Sequence, residues 1–318
     1  MAHYDVFNGD ADGLCALQQL RLKEPINATL VTGIKRDIKL LGRITAKATD
    51  VVTVLDISLE PNRPALEALL QAGVRVHYFD HHFAAHIPQH PLLVANIDVS
   101  PDVCTSLLVD RHLGGKFRSW AVVGAFGDNL NASAQRAAKA LHLDEQRLNV
   151  LRDLGNCLNY NAYGASVDDL HFAPEEVFRR LHPYDDPLVF VQEDDTFATL
   201  RASYADDFNQ AERLTPEYKT EKAALFILPS EPWARRVSGV FANRLVHRAP
   251  QCAHALLTRL QGGGYLVSVR APLANKVDAD TLCRKFPTGG GRPAAAGINQ
   301  LPEELFDEFL EAFTGTYR

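Results

Sequence analysis

The sequence predicts an α/β chain: a parallel-sheet domain with helices on both faces, followed by a smaller α/β domain. Three observations carry this. Apolar, β-rich runs alternate with helix-like stretches through the first half, the pattern of a parallel sheet with helical crossovers. Asp10, Asp12, Asp56, Asp80 and Asp128 follow such runs, where an α/β sheet gathers its ligand-binding groups. A second series of strand-like and helix-like segments starts at Ala223, after an irregular acidic stretch. The domains are expected at 1–205, with a linker region to about 222, and at 223–318.

Taken in order, Tyr4–Phe7 reads as the first strand, Asn8–Gly13 as a turn and Leu14–Lys23 as a helix. Asp10 and Asp12 are two apart, so in extended backbone they project to the same side. Two carboxylates that close repel unless a cation or proton intervenes; the alternative is an Asp/Gly turn that caps a helix. Thr29–Gly33 is a second strand. Lys35-Arg36-Asp37 reads as a solvated loop in preference to a phosphate contact, and Asp37–Lys47 as a helix. Val51–Leu55 is a strand ending in Asp56-Ile57-Ser58, and Pro61–Ala72 a helix stopped by Gly73. Val74–Phe79 is a strand that delivers Asp80-His81-His82; His86 and His90, between prolines, read as plain loop residues. Thr105 starts a helix that Gly114-Gly115 breaks, and apolar Trp120–Phe126 leads into Gly127-Asp128-Asn129. Ala132–Leu141 and Asp144–Leu158 read as helices, and 159–222 as less regular, its acidic clusters solvated. In the second domain Ala223–Leu228, Cys252–Leu260 and Tyr265–Arg270 read as strands, Trp233–Arg248 and Asp278–Phe286 as helices. The run Thr288–Gly297 reads as a glycine-rich loop, a shape that can offer backbone N–H groups to an anion.

Composition narrows the functional classes. With 318 residues, 46% apolar and 23% charged, the chain has the make-up of a folded globular protein. No run of about 18 apolar residues marks a membrane span, and the first residues lack a signal peptide's basic flank and apolar core, so cytoplasmic residence is the expectation. Five cysteines without paired spacing fit reduced, buried thiols and argue against a disulfide framework or zinc ribbon. A formal net charge of −6 weighs against avid binding of long nucleic acid. Carboxylates with imidazole suit Mn²⁺ or Mg²⁺.

In that order and spacing the motifs resemble the DHH phosphoesterase family, in the subfamily with a C-terminal DHHA1 domain. Asp10-Ala11-Asp12-Gly13 resembles the first motif in its RecJ-type form, Asp56-Ile57-Ser58 the second, Asp80-His81-His82 the signature and Gly127-Asp128-Asn129 the fourth. Gly289–Gly297 resembles the DHHA1 glycine motif, and Ser268-Val269-Arg270 the strand before it. Two positions depart from the pattern: Val6 stands where many members carry histidine, with Asn8 nearby as an alternative oxygen ligand, and Arg292 stands where the glycine motif usually has histidine.

The resemblance implies two Mn²⁺ or Mg²⁺ ions, with Asp10 on the first, Asp12, His81 and Asp128 on the second, and Asp56 bridging. It implies a bridging hydroxide as nucleophile, Asp80 orienting a histidine, and His82 on the scissile phosphate or the leaving oxygen. Ser268, Arg270, Gly289, Gly290, Gly291 and Arg292 would hold the rest of the substrate, with the active site in the interdomain cleft. The expected activity is hydrolysis of linear dinucleotides such as pGpG or pApA, or of very short RNA, to 5′-mononucleotides. Alternatives are cyclic dinucleotides, 3′-phosphoadenosine 5′-phosphate, or a non-catalytic nucleotide-binding relative; a pyrophosphatase fits the glycine-rich segment poorly.

Overall fold

A computed structural model describes all 318 residues, Met1–Arg318. The chain forms two compact units, Met1–Ala202 and Ser203–Arg318. No helix is long and apolar enough to cross a membrane.

The first unit is built on five parallel strands: β1 (His3–Phe7), β2 (Thr29–Val31), β3 (Val51–Leu55), β4 (Arg75–Asp80) and β5 (Leu93–Ile97), in the order β2-β1-β3-β4-β5. This doubly wound order reverses direction between β1 and β3, and ligands in such sheets bind beyond the strand C-termini at that point. Alternate side chains sort to opposite faces. Val6, Val54 and Tyr78 pack with α2 (Leu59–Gln71), through Leu66, Leu69 and Leu70. Phe7, Leu55 and Phe79 pack under α1 (Ala11–Lys23), α3 (Thr105–His112), α4 (Arg118–Gly127) and α6 (Glu145–Asn161). Helices therefore cover both faces, as the alternating pattern predicts. Between α4 and α6 lies α5 (Asn131–Ala138).

Four local expectations are corrected. Asp37–Lys47 is not an α-helix but a turn and a single 3₁₀ segment, Leu40–Arg43; the Asn62 side chain from α2 accepts from the Leu41 N–H at 3.2 Å, taking the place of an intrahelical partner. Trp120–Phe126 is helical, not β: a helix buried on all sides is apolar throughout and shows no period. β5 lies in the stretch beyond the proline-rich loop, where no strand is expected. The region 159–222 is regular, holding α7 (Pro174–Leu181), α8 (Pro187–Glu193) and α9 (Thr196–Glu212). Two of its acidic clusters sit at helix ends: Asp186 accepts from the Leu188 N–H at 2.9 Å and Asp194 from the Thr196 N–H at 2.8 Å. Asp185, Glu193, Asp195 and Asp206 are exposed, as a solvated face requires, whereas Asp207 is buried and accepts from Arg236 at 2.7 Å.

The second unit holds a six-stranded mixed sheet of β6 (Tyr218–Lys219), β7 (Ala223–Leu228), β8 (Ala253–Arg259), β9 (Tyr265–Arg270), β10 (Gly289–Arg292) and β11 (Ala295–Leu301), ordered β10-β11-β9-β8-β7-β6. Only β7 and β8 are parallel, joined through α10 (Pro232–Arg248). One face buries Leu225, Leu257, Val267 and Val269 against α11 (Ala279–Cys283) and α12 (Phe306–Thr316), whose Phe309 and Phe313 are fully buried. The glycine run is strand, not loop: Gly289–Arg292 pairs antiparallel with Ala295–Ile298. Single-residue propensity disfavours glycine in strands, but a Cβ at Gly289 would stand 1.8 Å from the Cys283 carbonyl oxygen, so this close approach requires it.

Candidate metal centre

The first unit gathers its acidic residues at the strand C-termini around the β1/β3 reversal. After β1, Asn8 accepts the Asp10 N–H at 3.2 Å, and Asp10 caps α1 by accepting from the Asp12 and Gly13 N–H groups at 3.0 and 3.1 Å. Gly13 has no alternative, since a Cβ there would meet the Asn8 carbonyl oxygen at 2.2 Å. The backbone at Asp12 is helical, not extended, and the two aspartates bond to different groups while both remain beside Asp56 and Asp128. Asp12 reaches across to α3, where its two oxygens accept the Thr105 and Ser106 N–H groups at 2.7 and 2.8 Å. An anionic side chain on the first N–H groups of a helix satisfies donors that have no partner within the helix. Asn8's oxygen is likewise engaged by backbone, and its amide nitrogen lies 3.4 Å from the Lys35 carbonyl oxygen.

Asp56 follows β3 with φ of +59°, a left-handed conformation unusual for a residue with a side chain. Its N–H is held by the Phe79 carbonyl at 3.0 Å, and its Oδ1 accepts from Thr105 Oγ1 at 3.2 Å. Burial and the carboxylates of Asp10, Asp12, Asp128 and Asp80 push its carboxyl well above the usual range. Asp128 caps the end of α4 and stands 3.8 Å from His81 Nε2. Burial, then the Asp12 charge, pushes it up to about 6, against the pull of Lys35.

At the end of β4 the signature residues divide their work. Asp80 is fully buried; its Oδ1 meets His82 Nδ1 at 2.7 Å and its Oδ2 has no hydrogen-bond partner. His81 Nδ1 lies 3.0 Å from the Val103 carbonyl, which fixes the proton there and leaves Nε2 free, 3.4 Å from Asp56 Oδ1. Burial disfavours the charged His82 imidazole, but the hydrogen bond and charge of Asp80 outweigh it and raise its pKa. Asp56, His81 and His82 each offer a ligand atom within 4.8 Å of the others. A carboxylate with a lone pair on a tautomer-fixed imidazole is a donor set for a hard or borderline divalent cation. Asp128 lies outside that group of three but brings its Oδ2 to 3.8 Å from His81 Nε2.

Lys35 is not a solvated loop residue. Its ammonium contacts Asp10 Oδ2 and lies 3.0 Å from Asn159 Oδ1 and 3.9 Å from Asp128 Oδ1. Burial disfavours that charge, but Asp10, Tyr163 and Asp128 outweigh it and raise the lysine's pKa. Asp10 shows the reverse: burial raises its carboxyl, and Lys35 with the Gly13 N–H brings it below the ordinary value. The charge of Lys35 is legible in the sequence, but its partner is not. Thr105 reads in sequence only as a helix start, and Asn159 carries no local signal.

The remaining predicted residues lie in the second unit. Ser268, Gly297 and Gly290 form one row across β9, β11 and β10, and Arg270, Ala295 and Arg292 form another two positions along. Arg270 donates to Ser268 Oγ at 2.9 Å and to Asn243 Oδ1 at 3.1 Å. Gly290 would admit a Cβ without contact, Gly291 takes φ of +143°, and Arg292 is exposed.

No protein-family model matches the chain, and no curated protein matches it significantly. Solved structures do. Manganese-bound exonuclease RecJ superposes with a TM-score of 0.63 at 19% identity, covering 99% of this chain and 89% of that one. The DHH domain of a protein described as a member of a ribosomal-protein family gives 0.64 at 13% identity, covering 99% and 86%. RecJ from Thermus thermophilus in complex with Mn²⁺ gives 0.64 at 19% identity; this chain spans about half of it, 52%. The likeness runs through nearly the whole chain, and this protein has the fold shared by those RecJ and DHH-domain structures.

Proposed function

We propose that this chain is a DHH-family phosphodiesterase that hydrolyses short linear nucleotides, of the pGpG or pApA type, to 5′-mononucleotides with a divalent cation. The observation that carries the reading is the Asp56–His81–Asp128 group, with Nε2 of His81 freed by the Val103 carbonyl and turned to both carboxylates. Manganese in the two RecJ structures favours Mn²⁺ as the ion to test first. Bound there, a divalent ion supplies an acidified water and offsets charge on a phosphoryl oxygen.

The protein's own residues do the rest. Asp80 orients His82 through Nδ1 and favours its protonated form, which suits a proton donor better than a metal ligand. His82 therefore holds a proton at Nε2 for the oxygen that leaves when the phosphorus–oxygen bond breaks. Asp12 ties the start of α3 to the centre, and Thr105 from that helix steadies Asp56. Arg270, Ser268 and Arg292, beside strands of glycine and alanine, are assigned to the substrate's other phosphate or terminal nucleotide, since an arginine offers phosphate paired donors. Net charge of −6 favours short substrates over long strands.

Incubation with Mn²⁺ and labelled pGpG, pApA, longer RNA and cyclic dinucleotides tests this. Mononucleotides are expected from pGpG and pApA. Rapid cleavage of a long strand with both dinucleotides inert would overturn the substrate assignment, and no cleavage of any of them would overturn the enzyme.

A further inference from the structure

Five carboxylates meet in the first unit, and the structure shows what answers each charge. Asp12 is answered by two N–H groups of α3, and Asp80 by His82. Asp10 is answered by the Lys35 ammonium and the first N–H groups of α1. Asp56 and Asp128 remain: both face Nε2 of His81, at 3.4 and 3.8 Å, and Asp128 also stands 3.9 Å from the Lys35 ammonium. Two carboxylates facing one imidazole nitrogen match the charge of one divalent ion.

Lys35 is not a mobile surface lysine that happens to lie nearby. Its side chain is 24% exposed. Its N–H bonds the Ala162 carbonyl at 2.9 Å, just past α6, and its carbonyl faces the Asn8 amide. The ammonium lies 5.7 Å from the centre of the Tyr163 ring. Around it stand oxygens of Asp10, Asn159 and Asp128, the donor type that a hard cation takes. The backbone thus delivers a fixed positive charge to a set of oxygen ligands.

We propose that the Lys35 ammonium occupies the place of one of the two cations expected at this centre, so that the chain binds a single divalent ion, at Asp56, His81 and Asp128. The inference rests on the metal-dependent reading above. It replaces the two-ion arrangement with one ion and one permanent ammonium, which a chelator cannot remove. A second divalent ion at Asp10 would have to displace that ammonium from its carboxylate and would face its charge at contact distance. Asp10 then serves to hold Lys35, not to ligate metal.

The test is the Mn²⁺ content of the full chain after equilibrium dialysis, with electron paramagnetic resonance to separate isolated from spin-coupled ions. The wild type is expected to hold one ion per chain with the spectrum of isolated Mn²⁺. Lys35→Ala, and Lys35→Met, which keeps most of the buried stem, are expected to take up two ions with a spin-coupled spectrum. Lys35→Arg is expected to stay at one. Two ions in the wild type, or one ion in both uncharged variants, would overturn the inference and leave the metal-dependent reading standing. No ion in any of these proteins would overturn both.

Discussion

Asp56 concentrates the demands of the site in one residue. Its backbone takes a left-handed turn, its carboxylate sits among four others, and its Oδ1 faces His81 and Thr105. Asparagine tolerates the same backbone conformation and has the same size, but carries no charge. Asp56→Asn is therefore expected to fold as the wild type does, by circular dichroism, yet to lose Mn²⁺ binding in calorimetry and hydrolysis to below detection. At this scale the sequence announces the acidic and imidazole residues well, because tandem histidines after an aspartate, matched by carboxylates at several other segment ends, are unusual in a structural role. It does not announce what each one touches. Asp10 and Asp12 look like twins in the motif, but one caps its own helix and the other caps α3, far along the chain. Lys35 reads as an ordinary charge in a loop because its partners, Asp10 and Asn159, come from distant elements.

The elements place these residues by close packing. Asp128 is delivered by the end of α4, and α4 is pinned by helix crossings that admit no side chain. A Cβ at Gly155 of α6 would lie 2.3 Å from the Val123 carbonyl oxygen and 2.8 Å from the Gly127 nitrogen. Both neighbours are backbone, so relief requires the helices to part. Gly155→Ala is expected to cost about 1–3 kcal/mol in urea unfolding and to weaken Mn²⁺ binding along with it, since Asp128 moves with α4. A sequence reading misses this crossing because α4 is apolar on every side and shows no helical period. The sheet strands are more legible: β1, β3 and β4 are short apolar runs, each followed by a carboxylate. The helices between Pro174 and Glu212 are obscured because acidic residues that cap them look, in sequence, like a solvated linker.

For the molecule as a whole, pH acts on more than the acidic centre. His254 in β8 is 3% exposed, its Nδ1 has no hydrogen-bond partner, and burial pushes its imidazole down from 6.5 to about 4. Between those values the unfolded chain takes up a proton that the folded chain refuses, so stability is full above about pH 6.5 and falls as the pH drops towards 4. That loss is on the order of 3 kcal/mol. His254→Leu is expected to remove it, flattening the dependence of the urea midpoint on pH across that window; an unchanged slope would clear His254 of the effect. The two-unit α/β plan itself is legible from segment alternation and from the renewed pattern after residue 222. The glycine run is misleading at this scale: it is an edge strand whose need for glycine comes from the Cys283 carbonyl behind it, a contact no local pattern encodes. Everything proposed about activity requires a metal ion at the β1/β3 reversal. Anomalous diffraction from crystals soaked in Mn²⁺ reads that out. The expected result is one peak within bonding distance of Asp56, His81 and Asp128 and none where the Lys35 ammonium stands; a map with no peak at those three side chains would contradict it.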